Sequence, residues 1–172
     1  MDIRQALLKE HSKKQAHKIA AYVGSDKKRF DDLMKLFLGN EYRVTQRAAW
    51  IVGISVQKNP SLAKNYFKTL IALLDAPGAH PAVTRNIVRI LQFIEIPKKF
   101  HGRLMDICFR FVSTPETAVA VKVFSLSILE NLSTKYPEIK QELKLLIEET
   151  WPNSTAAFKS RARKILKSLQ DF

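Results

Sequence analysis

The chain of 172 residues has a single cysteine, Cys108. That excludes an intramolecular disulfide framework and any cysteine-rich zinc module. The five glycines are scattered, and none forms a phosphate-cradling loop. The histidines, His11, His17, His80 and His101, include no pair four residues apart and no H-E-x-x-H pattern. No metal site and no cofactor are expected from them. No window approaches the roughly 18 apolar residues that a membrane span needs. The opening, MDIRQALLKEHSKK, lacks the apolar stretch of a signal peptide. A cytoplasmic protein without membrane contact is the expectation. No run alternates with period two between turn signals, so no sheet is expected.

What is present is ordinary in one respect and unusual in another. Hydrophobic residues make up 46% and charged residues 26%, enough apolar surface for a folded core. The net charge is +13 and the pI is about 10.0. Such a surface attracts polyanions: nucleic acid, acidic membrane or an acidic protein.

The seven prolines fall between apolar-periodic segments and never within one. Asn59-Pro60, Thr114-Pro115 and Tyr136-Pro137 therefore read as helix starts, and Gly24, Gly39 and Gly78 as stops. Between these marks the apolar period is helical. Phe30, Leu33, Met34 and Phe37 form one stripe; Phe100, Leu104, Ile107 and Phe111 form another. The chain divides into ten helical segments, about 2–10, 12–23, 26–38, 41–57, 60–75, 81–95, 97–113, 115–135, 137–151 and 154–170. Short connections predict antiparallel neighbours, and no linker divides the chain, so residues 1–172 read as one domain.

The even-numbered segments resemble one another. Aligning Ala16, Ala48, Ile87, Val123 and Ala162 gives intervals of 32 to 39 residues. Two helices per unit at that period indicate a helical solenoid rather than a non-repetitive bundle of similar hairpins. The stretch Val44-Thr-Gln-Arg-Ala-Ala-Trp-Ile-Val resembles the second helix of a HEAT repeat, and Val83-Thr-Arg-Asn-Ile-Val-Arg-Ile-Leu is a looser copy. The phrases EYRVTQRAAW and FKSRARKIL are also similar to a group of bacterial HEAT-like proteins. The resemblance implies an all-α, ARM-type fold: a right-handed α-solenoid of about five antiparallel helix pairs. It also implies that the second helices line a concave side. It supplies no activity, because HEAT motifs specify a fold.

Most of the positive excess falls on the second helices. One residue before the aligned position lie Gln15, Arg47, Asn86, Lys122 and Arg161; two after it lie Lys18, Trp50, Arg89, Ser125 and Lys164. Rows three apart share a helix face, so these predict one basic stripe across the concave surface. With Arg85 beside it, the expected partner- or polyanion-binding set is Lys18, Arg47, Trp50, Arg85, Arg89, Lys122, Arg161 and Lys164. Trp50 is either a stacking platform between Arg47 and Arg89 or a filler of the seam between repeats. The basic C-terminal helix, with Arg163 and Lys167, either binds an anion or caps the solenoid.

No catalytic constellation emerges. Asp31-Asp32 and Glu148-Glu149 are adjacent pairs that point about 100° apart on a helix. Cys108 lies in an apolar stripe, and Asp106 is the one acid within a strongly apolar segment. HEAT-like DNA glycosylases of alkylation repair are similar in architecture, and use aromatic and acidic residues on concave helices. No acid follows Trp50 at helical spacing, where Gly53 and Ile54 stand, so no catalytic residue carries over. The expectation is a non-enzymatic scaffold, monomeric, that binds an acidic protein partner. Nucleic-acid binding through phosphate contacts is the alternative, and a HEAT-like alkylation-repair glycosylase is the third and least favoured reading.

Overall fold

In the computed structural model, residues 1–76 and 81–170 are described, and among them the only regular structure is helical. The order is α1 (Ile3–Lys9), α2 (Lys13–Val23), α3 (Lys27–Phe37), α4 (Tyr42–Lys58), α5 (Phe67–Asp75), α6 (Pro81–Leu91), α7 (His101–Ser113), α8 (Val119–Ser133), α9 (Ile139–Thr150) and α10 (Ala156–Gln170). Short 3-10 turns over Pro60–Tyr66 and Lys98–Phe100 lead into α5 and α7.

Local chemistry sets most boundaries. Asp2, Ser12 and Asp26 each accept a hydrogen bond from the backbone N–H three residues on, capping α1, α2 and α3. Gly24 ends α2 at φ +52°, a conformation that a side chain would strain. Pro81 opens α6, where a missing N–H costs nothing. The expected stop at Gly78 and the turn around His80 lie outside the described residues.

Two expected boundaries move. The segment 115–135 becomes helical only at Val119, because Thr114 caps the preceding helix: its hydroxyl donates to the Arg110 carbonyl oxygen at 2.7 Å. Pro115 thus follows a helix end rather than opening a helix. The segment 81–95 stops being helical at Leu91, where the Phe93 N–H closes a tight turn onto the Ile90 carbonyl at 3.2 Å.

The helices pair as α1/α2, α3/α4, α5/α6, α7/α8 and α9/α10. The second members pack on one another in unbroken succession, from α2 through α4, α6 and α8 to α10. Contacts among the first members are thinner. An array of pairs packed more closely on one side bends toward that side, so the second layer is the inner one. Close approach there rests on a buried column of mostly small residues: Ala16, Ala48, Ile87, Ser125 and Ala162 are each no more than 3% exposed. Ser125, and not Val123, occupies the fourth place. Val123 is half-buried, whereas Ser125 faces Cys108 across α7 and α8. One continuous core runs from Ile3 to Ile165.

Each pair also reaches back to the one before it. Arg47 donates to the Leu7 carbonyl at 2.5 Å and to that of Leu8 at 3.2 Å, at the C-terminal end of α1. The Asn59 amide donates to the Gly24 carbonyl at 3.1 Å, and the Asn131 amide to the Gln92 carbonyl at 3.0 Å. These carbonyls have no partner in their own helices, so the bonds satisfy chain ends that a helix leaves open.

Candidate functional site

The inner face is where the sequence places its candidates, and the corrected register redraws it. With Ser125 in the core column, the outward row two residues beyond reads Lys18, Trp50, Arg89, Ser127 and Lys164. Lys122 moves to the row of Lys13 and Lys159, in the first turn of each helix, and is half-buried. The α8 positions that would carry the stripe onward are Phe124 and Ser127, both uncharged, and Ser127 is buried. The predicted continuous stripe is therefore two basic patches with no cation between them on these rows of α8. Reading the wrong residue into the core produced the apparent continuity: a buried serine looks like a surface residue by type.

The C-terminal patch holds Arg161, half-buried, and Lys164, exposed. On another side of α10, Arg163 lies over the Trp151 ring at 5.3 Å and Lys159 at 5.9 Å, so part of the helix's charge is spent on packing.

The N-terminal patch is better built. Lys18 and Arg89 are exposed and form no ion pair among the described residues. Arg85 is exposed and donates to Gln46 Oε1 at 2.9 Å, which ties α6 to α4. Arg47 is half-buried and committed to the α1 carbonyls, so the fold itself engages it. Trp50 is half-buried, with its edge against His11 at 5.4 Å between ring centres. It is neither fully exposed nor sealed into the seam.

Trp50 forms one wall of a cleft of about 230 Å³. The outward face of α4 provides the floor through Gly53, Ile54 and Gln57; α2 contributes Lys13 and His17; α6 and its end contribute Arg89 and Phe93. Phe93 is 49% exposed. Sequence reasoning missed Phe93 because it sat inside a predicted helix. The signal was available: Phe93 falls off the Ile87, Ile90, Leu91, Ile94 stripe. Among the described residues, no carboxylate lines this cleft.

Elsewhere the titratable groups are occupied by the fold. His101, the first residue of α7, is 4% exposed; its Nε2–H donates to the Ile96 carbonyl at 2.6 Å, and its Nδ1 accepts from the Tyr136 hydroxyl at 2.9 Å. A cavity of about 620 Å³ opens beside it, lined also by Lys64, Phe67, Glu95 and Lys135. With both ring nitrogens bonded, His101 has no lone pair to offer a metal or a substrate. Glu95 there is held below the usual carboxylate range by its hydrogen bond to Lys135, at 2.8 Å. Burial pushes the Cys108 thiol up to about 12, which the neighbouring Ser125 hydroxyl offsets only in part, so it stays a protonated, unreactive hydrophobe.

Asp31 and Asp32 serve different partners: Asp31 accepts from the Tyr66 hydroxyl at 2.5 Å, and Asp32 pairs with Lys35 at 3.0 Å. The Tyr66 hydroxyl is raised above its ordinary value, by desolvation first and then by that bond. Asp106 is not a buried acid; it is solvated and pairs with Arg103 at 3.6 Å. Among the described residues no cluster of His, Cys, Asp or Glu is placed to hold a metal ion, and no helix is long and apolar enough to cross a membrane.

Comparison with curated proteins and with solved structures gives no match. The family model of the HEAT repeat domain matches residues 3–169. Paired antiparallel helices, an inner layer of stacked second helices and a match that spans nearly the whole chain agree: this chain belongs to the HEAT repeat domain family.

Proposed function

We propose that the chain is a non-enzymatic interaction module whose inner face binds an acidic protein partner. The observation that carries this reading is an imbalance. Lys13 and Arg89 line one cleft with the half-buried Trp50, Lys18 is exposed on the same row of the repeat, and none of the three cations has a carboxylate within ion-pair distance among the described residues. Unpaired like charges on one face repel one another and are relieved by a polyanionic ligand. The test is fluorescence anisotropy of a labelled glutamate-rich peptide against the protein at several salt concentrations. Binding that weakens with salt, and weakens again on reversing Lys18 and Arg89 to glutamate, is the expected result. Salt-insensitive binding, or none at low salt, would sink the reading.

Nucleic acid is the second reading, favoured by one feature, the half-exposed Trp50 ring beside Arg89, an arrangement that suits a stacked base and its phosphate. The same titration with single- and double-stranded oligonucleotides separates the two. The number of phosphate contacts follows from the slope of affinity against salt.

A further inference from the structure

The geometry points to a single-anchor docking site: the Trp50 cleft receives one aromatic side chain from an acidic peptide segment, whose carboxylates meet Lys13, Lys18 and Arg89. The inference rests on the acidic-partner reading and adds which residue of the partner is gripped, and where.

Three observations carry it. First, two aromatic rings, Trp50 and Phe93, border one cleft, and Phe93 is about half exposed with no described aromatic partner of its own. Apolar rings left facing a cleft are surface that a ligand ring would cover, and aromatic pairs gain beyond the area they bury. Second, Gly53 occupies the middle of α4 on the cleft floor. A Cβ there would meet nothing within 4 Å. Glycine inside a helix is unfavourable relative to alanine, and here no neighbour of the fold requires it. Its effect is to deepen the cleft between Trp50 and Gln57. Third, Lys13 and Arg89 share the cleft lining with the two rings, and among the described residues no carboxylate does. Cations beside apolar rings suit an aromatic anchor flanked by acids.

The choice of a peptide over a nucleic-acid strand follows from the count of platforms. Single-strand binders stack successive bases on repeated aromatics along a continuous basic groove. Here the outward row offers Trp50 as its one aromatic, and its α8 position, Ser127, is uncharged and buried, which interrupts the basic track. One ring socket with charge on its own rim fits one anchor residue flanked by acids.

The experiment compares two labelled peptides that differ at one place. One is an alternating Glu-Asp sequence with a central phenylalanine, and the other has alanine there. Both are titrated by anisotropy, with a single-stranded oligothymidylate as the third probe. The phenylalanine peptide is expected to bind roughly tenfold tighter or more, the size of effect that truncating a hot-spot anchor produces. Phe93→Ala and Gly53→Leu, the second of which fills the cleft from the floor, are expected to erase that difference. Neither should lower the thermal melt, since Phe93 is exposed and a side chain at Gly53 gains helix propensity and meets open space. Equal, salt-sensitive binding of both peptides overturns the anchor and leaves the acidic-partner reading standing. Binding of oligothymidylate with neither peptide overturns both in favour of nucleic acid. No binding by any probe overturns all of them.

Discussion

The two layers of this solenoid are both rich in cations but differ in the acids set against them. In the outer layer several cations are answered, although Lys9, Lys27, Lys28 and Lys68 form no ion pair among the described residues. Arg103 and Arg110 both grip Asp75, the latter at 2.7 Å, which locks α5 to α7. Arg29 pairs with Asp26, Lys35 with Asp32 and Lys144 with Glu148. In the inner layer Lys18, Arg89 and Lys164 are exposed and form no ion pair among the described residues. More of the outer layer's cations are thus tied to acids of the fold, and these three of the inner layer are not. The difference is one of acid placement, because basic residues alone do not distinguish the layers.

Four variants test this contrast. The largest effect is expected from Ala48→Leu, in the column that lets inner helices approach: overpacking there should cost about 2–3 kcal/mol in urea melts. A cost near zero would mean the inner layer is not the tight one. Next comes Asp75→Asn. The Asp75 side chain is only 18% exposed and answers two arginines, so its loss should destabilise by about 1–2 kcal/mol after discounting the half-exposed guanidiniums. The matching change inside is the pair Lys18→Glu and Arg89→Glu. It should leave stability within about 0.5 kcal/mol while weakening acidic-peptide binding roughly tenfold. If that pair unfolds the protein, the layers do not divide their labour as described. The smallest effect is Gly53→Ala, expected to stabilise by about 0.5–1 kcal/mol in the same melts, because helix propensity rises and nothing is displaced.

The sequence carried the architecture well because helix ends and helix faces are local facts. Proline and glycine positions, with the 3.6-residue stripes, placed ten helices within a few residues. Its failures were tertiary. Ser125 is polar, yet it fills a core position because its small size suits the close crossing of α7 and α8; type alone pointed to Val123. Arg47 looked like a free surface cation. Its true partners are the Leu7 and Leu8 carbonyls, 40 and 39 residues earlier, which no local pattern reveals. Phe93 was hidden by a helix drawn too long. Trp50 and Arg89 were found and do share a cleft, since the repeat alignment placed them in one row on α4 and α6, although its α8 member, Ser125, is buried.

The bonds that each pair sends back to its predecessor have a consequence for how the chain is made. Arg47, Asn59 and Asn131 close carbonyls that left the ribosome 35 to 40 residues before them. At translation rates of about 5–20 residues per second, those chain ends wait a few seconds for the side chains that complete them. In these contacts the first and third helix pairs are completed by side chains of the pair that follows, so those ends close one repeat behind synthesis.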